Sequence, residues 1–183
     1  MGTLVYAMSM SLDGYVEDPD GGIGFGEPDE EAHRFYNEQT RDTAAFLFGR
    51  GLHDVMEDFW TAPERADGPE VEAEFARLYV ATPRIVFSDS LQAVAPGCRL
   101  VRRADAVDEV ERLKAEVDGD LGVGGAALAA SLLDLIDEFR PRVVPVVLGG
   151  GTPYLPPGGT ATLRLLEQRV FPGGTVHLRY ARA

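Results

Sequence analysis

A run of six residues, Gly122-Val123-Gly124-Gly125-Ala126-Ala127, constrains this chain more than any other stretch. It follows Asp120-Leu121 and opens the alanine- and leucine-rich segment from Ala126 to Leu133. The pattern reads as a strand end, a tight glycine turn and the start of a buried helix. Without a Cβ, glycine lets backbone approach a neighbour or a ligand closely. The first helical turn offers unpaired N–H groups at the positive end of the helix dipole, which together suit a phosphate. A plain strand-to-helix turn would use the same residues, so the rest of the chain has to decide.

Hydrophobic periodicity supplies the other elements. Gly2 to Met10 reads as a first strand, apolar on both faces, as expected of an interior strand between two layers. Ser11 to Pro28 is a long loop with turn chemistry at Asp13-Gly14 and Asp20-Gly21-Gly22, and loops of such length are often functional. Asp29 caps a helix running to about Arg41. Ala44 to Phe48 is a short strand stopping at Gly49-Arg50, with helices expected over about 52–59 and 70–79. Strands are expected at 84–87, 99–102 and 120–123, and helices over 105–117 and 126–135. The β-branched run Val143 to Leu148 closes on Gly149-Gly150-Gly151, and Pro145 inside it implies a bulge or a local edge. Leu163 to Phe171 and Thr175 to Tyr180 flank Pro172-Gly173-Gly174 as a hairpin. Strands alternating with helices imply one α/β domain over 1–183, with a largely parallel sheet, helices on both faces and a C-terminal antiparallel hairpin.

Composition narrows the partners. A net charge of −13 argues against a nucleic-acid surface, yet a few well-placed arginines can hold an anionic cofactor at short range. The single cysteine, Cys98, rules out an internal disulfide, so nothing suggests an oxidising compartment. No signal-peptide pattern opens the chain and no apolar stretch approaches a membrane span, so a cytoplasmic protein without membrane contact is the expectation.

In open α/β sheets, ligands bind at the carboxyl ends of the parallel strands. Four segments bring suitable groups there: Gly49-Arg50, Ser88-Asp89-Ser90, Gly122 to Ala126 and Gly149 to Gly151. Arg50 can grip a phosphate through its two-pronged guanidinium, or serve a surface ion pair. Ser88 and Ser90 can add hydroxyls, or spend them on capping and turns. Arg84, Arg102 and Arg103 are further cations whose directions the sequence leaves open. Asp13, where the first strand meets the long loop, is the first candidate for a polar group facing a substrate; a simple Asp-Gly turn is the alternative. His33 could face the pocket from the first helix, against a solvated position there, and Tyr36 and Trp60 could wall a planar substrate by stacking, against core packing. His53 and His177 show no metal-ligand spacing, and no metal is expected.

These segments, in this order, resemble the dihydrofolate reductase-like superfamily, and within it the C-terminal reductase domain of bifunctional riboflavin-biosynthesis enzymes. The matching stretches are Ser11-Leu12-Asp13-Gly14-Tyr15-Val16, Phe48-Gly49-Arg50, Ile85-Val86-Phe87-Ser88, Gly122-Val123-Gly124-Gly125 and Val146-Val147-Leu148-Gly149-Gly150-Gly151-Thr152-Pro153. The resemblance implies a three-layer α/β/α fold, NADPH as hydride donor and a small heterocyclic substrate of pteridine or pyrimidine type. It also implies an adenosine 2′-phosphate pocket near Arg50 and Ser88, a pyrophosphate site at Gly124-Gly125, and paired subunits. Together with the residue reading, the expected cofactor positions are Ala7, Gly49, Arg50, Ser88, Gly122, Gly124, Gly125 and Ala126. The expected substrate positions are Asp13, His33, Tyr36, Trp60, Gly149 and Gly150, with Asp13 the catalytic candidate.

Two departures bear on substrate. True dihydrofolate reductases carry a pterin-binding carboxylate in the first helix, and Glu30-Glu31-Ala32-His33-Arg34-Phe35-Tyr36 offers no unambiguous equivalent. The zinc-deaminase pattern usually fused to the riboflavin-type reductase is absent, since one cysteine cannot supply Pro-Cys-x-x-Cys. An NADPH-dependent reductase of the 5-amino-6-(5-phosphoribosylamino)uracil reductase type is the leading expectation. The alternative is a non-catalytic nucleotide- or ligand-binding protein that keeps the fold.

Overall fold

The computed structural model describes residues 1–183. The chain runs β1 (Thr3–Tyr6), β2 (Ser9–Ser11), β3 (Tyr15–Glu17), α1 (Glu30–Arg41), β4 (Thr43–Gly49), α2 (Arg50–Trp60), α3 (Glu70–Ala81), β5 (Arg84–Phe87), β6 (Cys98–Val101), α4 (Ala106–Glu116), β7 (Asp120–Gly124), α5 (Ala126–Ser131), β8 (Glu138–Phe139), β9 (Arg142–Val144), β10 (Thr152–Pro153), β11 (Leu163–Val170) and β12 (Val176–Arg182).

All strands but β3 and β10 form one sheet. β1 and β2 are a single course of chain broken at Ala7-Met8, and β8 and β9 another broken at Arg140-Pro141. The two courses lie side by side and parallel, β1 on β8 and β2 on β9. Taking each course as one strand, the order across the sheet is β11, β12, β8–β9, β1–β2, β7, β4, β5, β6. Only β12 runs against the parallel courses, and β11 pairs antiparallel with it.

The direction of travel decides which face each helix covers. From β1 the chain moves outward through α1 to β4, then through α2 and α3 to β5 and β6. It returns through α4 to β7, which inserts between β1 and β4, and crosses β1 through α5 to reach β8. Parallel crossovers are right-handed, so helices of opposite travel fall on opposite faces. Accordingly α4 and α5 pack with Leu4, Tyr6, Leu47, Ile85, Phe87, Leu121 and Val123 in the main buried core. On the other face Leu52 of α2 meets Gly124, and Tyr79 of α3 meets Phe46 and Phe48.

Local chemistry explains where elements start and stop. Asp29 caps α1 by accepting from Ala32 N at 2.8 Å, and its other oxygen accepts from Gly173 N at 2.7 Å. One carboxylate therefore ties α1 to the β11–β12 turn, and these backbone bonds hold its pKa below the usual aspartate value. The expected strand over 143–148 ends at Val144, because Pro145 has no N–H to continue the ladder. The expected 11–28 loop contains β3, which pairs with β10 and so fastens that loop to the triple-glycine segment. β8 is only two residues long, too short for any periodicity. The expected 126–135 helix is split into α5 and a 3₁₀ turn at Leu133–Leu135. No helix is long and apolar enough to cross a membrane.

Candidate active site

The carboxyl ends of β4, β5, β6 and β7 lie side by side. Arg50, just past β4, donates from Nη1 to Ser90 Oγ at 2.9 Å and from Nε to Asp54 Oδ2 at 3.3 Å. Ser88 Oγ lies 3.3 Å from Ser90 Oγ and accepts from the N–H groups of Ser90 and Leu91, each at 3.2 Å. Arg102, past β6, donates from Nη1 to the carbonyls of Ser88, Asp89 and Leu91, so it shapes this loop. The exposed guanidinium of Arg50 thus stands among hydroxyls at a rigid loop, a suitable seat for a phosphate. Arg84 is excluded from this group. Its side chain is buried at the opposite end of β5, donating to the carbonyls of Tyr79, Val80, Thr82 and Pro96.

The glycine turn divides into two jobs. Gly124 is buried, and a Cβ on it would stand 2.6 Å from Leu52 Cδ2 and 2.8 Å from Phe48 Cδ1. Its small size therefore serves packing of α2 and β4, and the cleared space holds protein side chains. Gly125 has φ +95°, and a Cβ there would touch only Leu52 Cβ at 3.7 Å. This left-handed residue turns the chain into α5, whose first N–H groups at Ala126 and Ala127 have no intrahelical partner.

Ala7 sits where the first course breaks. Leu4, Tyr6 and Met8 accept backbone bonds from Asp137, Arg140 and Arg142 on the β8–β9 side. By alternation Ala7 points its peptide groups toward β7, one residue past the last β1–β7 rung at Tyr6–Val123. Neither its N–H nor its C=O makes a backbone hydrogen bond. Free amide groups beside a glycine turn suit a planar carboxamide. Together with Arg50, Ser88 and Gly125, this edge fits an anionic dinucleotide.

Asp13 is exposed and holds the triple-glycine loop. It accepts from Leu148 N at 3.1 Å and from Gly149 N at 2.7 Å. The Ser11 hydroxyl and then these backbone N–H groups draw its pKa down to about 2. Its carboxylate is therefore ionised at neutral pH and has no proton to give. Gly149 and Gly150 lie in the loop it secures.

The first helix separates its candidates. His33 faces α3, with its Nδ1 3.2 Å from Asn37 Oδ1, and packs edge-on against Trp60 and Phe75. His33 and Trp60 thus belong to an aromatic cluster among α1, α2 and α3. A cleft of about 270 Å³ beside them is lined by Pro28, Glu30, His33 and residues 69–72. Tyr36 faces the sheet, beneath which Arg142 lies with its Cζ 4.0 Å from the Tyr36 ring centre. The two carboxylates of its first turn are taken, Glu30 by Arg34 and Glu31 by Arg169 at 3.0 Å, and Glu38 is exposed to solvent. Arg142 escaped the sequence reading, since an arginine on a short strand carries no signal of what surrounds it.

A further cluster forms where none was expected: His53, Glu57 and Cys98 have ligand atoms within 4.8 Å of one another. The Arg84 guanidinium already supplies the positive charge there, with Nε 3.2 Å from Glu57 Oε2 and 3.3 Å from Cys98 Sγ. A divalent cation would meet that fixed charge, so the group reads as a structural network.

The family described as RibD C-terminal domain matches residues 2–177. The uncharacterized protein YyaP of Bacillus subtilis (strain 168) is 28% identical over 183 residues, covering 97% of this chain and 93% of YyaP. Among solved structures, a diaminohydroxyphosphoribosylaminopyrimidine deaminase/5-amino-6-(5-phosphoribosylamino)uracil reductase from Thermotoga maritima superposes with a TM-score of 0.67 at 15% identity. That match spans 100% of this chain and 57% of the larger protein. Dihydrofolate reductase from Enterococcus faecalis, complexed with NADP(H), superposes with a TM-score of 0.65 at 14% identity over 99% of this chain and 96% of the enzyme. At these identities the superpositions speak to the fold, which is dihydrofolate reductase-like.

Proposed function

This chain belongs to the RibD C-terminal domain family, and from that membership we propose that it is an NADPH-dependent reductase transferring a hydride to a small heterocyclic substrate. The observation that carries the reading is the row of groups along one sheet edge. These are the Arg50–Ser90–Ser88 network, the left-handed Gly125 before α5, and the free amide of Ala7. Bound NADPH would supply the hydride; the protein supplies position and charge. In this reading Arg50, Ser88 and Ser90 hold the 2′-phosphate. Gly125 and Ala126 present N–H groups to the pyrophosphate, and Ala7 orients the nicotinamide through its carboxamide. Gly49 and Gly122 are near neighbours of that path, and Gly124 sets the distance between α2 and the turn.

Asp13 acts as a positioning residue, since its ionised carboxylate fixes Gly149 and Gly150 beside the end of the first course. Tyr36 borders the substrate, while His33 and Trp60 brace α1 against α2 and α3. The whole chain acts as one reductase domain, and we expect a homodimer formed through the exposed β11 edge.

Calorimetric titration with NADPH and NADH tests the cofactor assignment. The expected result is saturable NADPH binding, tighter than NADH by tenfold or more, with Arg50→Ala losing most of that preference and leaving NADH binding little changed. Charge-assisted bonds of this kind contribute roughly 1.5–3 kcal/mol each. Failure of either nucleotide to bind would end the reductase reading.

A further inference from the structure

Beneath α1 the structure holds an arginine without a partner. The Nε of Arg142 is enclosed and makes no hydrogen bond. The residue as a whole is half-buried, and its guanidinium enters no ion pair. Arg142 sits directly opposite Ser9 on β2 and His177 on β12. Two more enclosed polar atoms adjoin it, Tyr36 Oη and His177 Nδ1. Only five such atoms exist in the protein, and three of them gather here.

The surrounding charges are spent elsewhere. Arg140 pairs with Asp120 and Glu138, Arg179 with Glu138, and Arg169 with Glu31. Burial, and then the charge of Arg142, lower the His177 pKa to about 4, so that ring is neutral at pH 7. The charge of Arg142 therefore has the face of the Tyr36 ring beside it and no carboxylate paired with it. An enclosed, unpaired cation is costly, and an unsatisfied buried polar group in a folded protein calls for a reason.

We propose that Arg142 is the docking point for a carboxylate on the substrate, with Tyr36 Oη and His177 as adjoining hydrogen-bonding groups. A guanidinium edge matches the two oxygens of a carboxylate, and one unpaired positive charge matches one negative charge. A phosphate dianion would bring a second charge with no cation left to meet it. The inference rests on the reductase reading and narrows its substrate to a planar heterocycle bearing a carboxylate.

Orotate and uracil are suitable probes, a pyrimidine with and without a carboxylate. Each is titrated calorimetrically into the whole protein, with and without NADPH. Orotate is expected to bind with a Kd on the order of millimolar or tighter, and uracil at least about tenfold more weakly. Arg142→Met should weaken orotate about tenfold or more, leave NADPH binding unchanged, and keep or raise the thermal midpoint. A purely structural arginine would instead lower the midpoint and spare orotate. If Arg142→Met fails to fold, Arg142→Lys keeps the charge but loses the fork, and is expected to weaken orotate several-fold. No saturable orotate binding to the parent protein, or equal affinity in a folded variant, overturns the proposal. Orotate binding that depends on Arg142 in a protein that ignores NADPH would leave this site standing and remove the reductase reading.

Discussion

A Cβ on Gly124 would stand 2.6 Å from Leu52 Cδ2 and 2.8 Å from Phe48 Cδ1, so Gly124→Val makes both side chains shift in a packed layer. Overpacking of this kind costs about 1–3 kcal/mol, and urea denaturation should show a loss in that range. That variant is a poor probe of cofactor binding, because its first effect is on packing. Ala126→Asp is the cleaner one. A carboxylate in the first turn of α5 favours the helix dipole by up to about 1 kcal/mol, yet repels a diphosphate at the same N–H groups. The expected outcome is unchanged or higher stability with NADPH affinity reduced at least tenfold; normal NADPH binding would remove the pyrophosphate from this turn. The glycines and Arg50 were visible in the sequence as turn and strand-end chemistry. Whether a glycine makes room for a ligand or for Leu52 depends on what lies opposite, which a one-dimensional pattern does not contain. Arg142 gave no sign at all, because a missing partner is a property of the space around a residue.

Where α1 packs on β12, an acid-sensitive joint forms. His177 is fully enclosed, between Arg142 on the neighbouring strand and the rings of Phe35 and Tyr36. Its folded pKa of about 4 lies below the value near 6.5 expected of an unfolded histidine. The unfolded chain therefore takes up this proton first. The stability linked to neutral His177 is complete above about pH 6.5 and drains away as pH falls toward about 4. His177→Gln should flatten that segment of the stability profile, and Arg142→Met should raise the His177 pKa. Urea melts across the range and histidine NMR titration read the two effects, and a wild-type profile with no loss between those limits would contradict the geometry. Among the elements, α1 follows directly from its cap, and the β11–β12 hairpin from alternation and turn residues. β8 and β3 do not, because strands of two or three residues form only where a partner edge is already in place.

At the scale of the molecule, the sheet leaves one long edge uncovered. β11 is the outermost strand and exposes Leu165, Leu166 and Val170. An open apolar edge is a pairing surface, and a second copy of the chain is its simplest occupant. Sedimentation should therefore give a dimer, and Val170→Lys with Leu165→Lys should give a folded monomer. A parent protein that sediments as a monomer at working concentration would remove the dimer. The same scale accounts for how an acidic chain could bind an anionic cofactor: Arg50 and the pair Arg102 and Arg103 come to the ends of β4 and β6, on either side of β5, though they lie up to 53 positions apart in a chain of net charge −13. The amino-acid sequence by itself determined the alternation of strands and helices, the antiparallel hairpin and the strand-end positions of the glycine and arginine motifs. These are local properties, set by side-chain period, capping and turn chemistry. Only the tertiary structure decided that Gly124 serves packing, that Asp13 is a tie for the triple-glycine loop, that Arg84 lies away from the nucleotide edge and that Arg142 is unpaired. Each of those depends on which distant residues become neighbours, and crossover handedness and the insertion of β7 between β1 and β4 settle that only once the chain has folded.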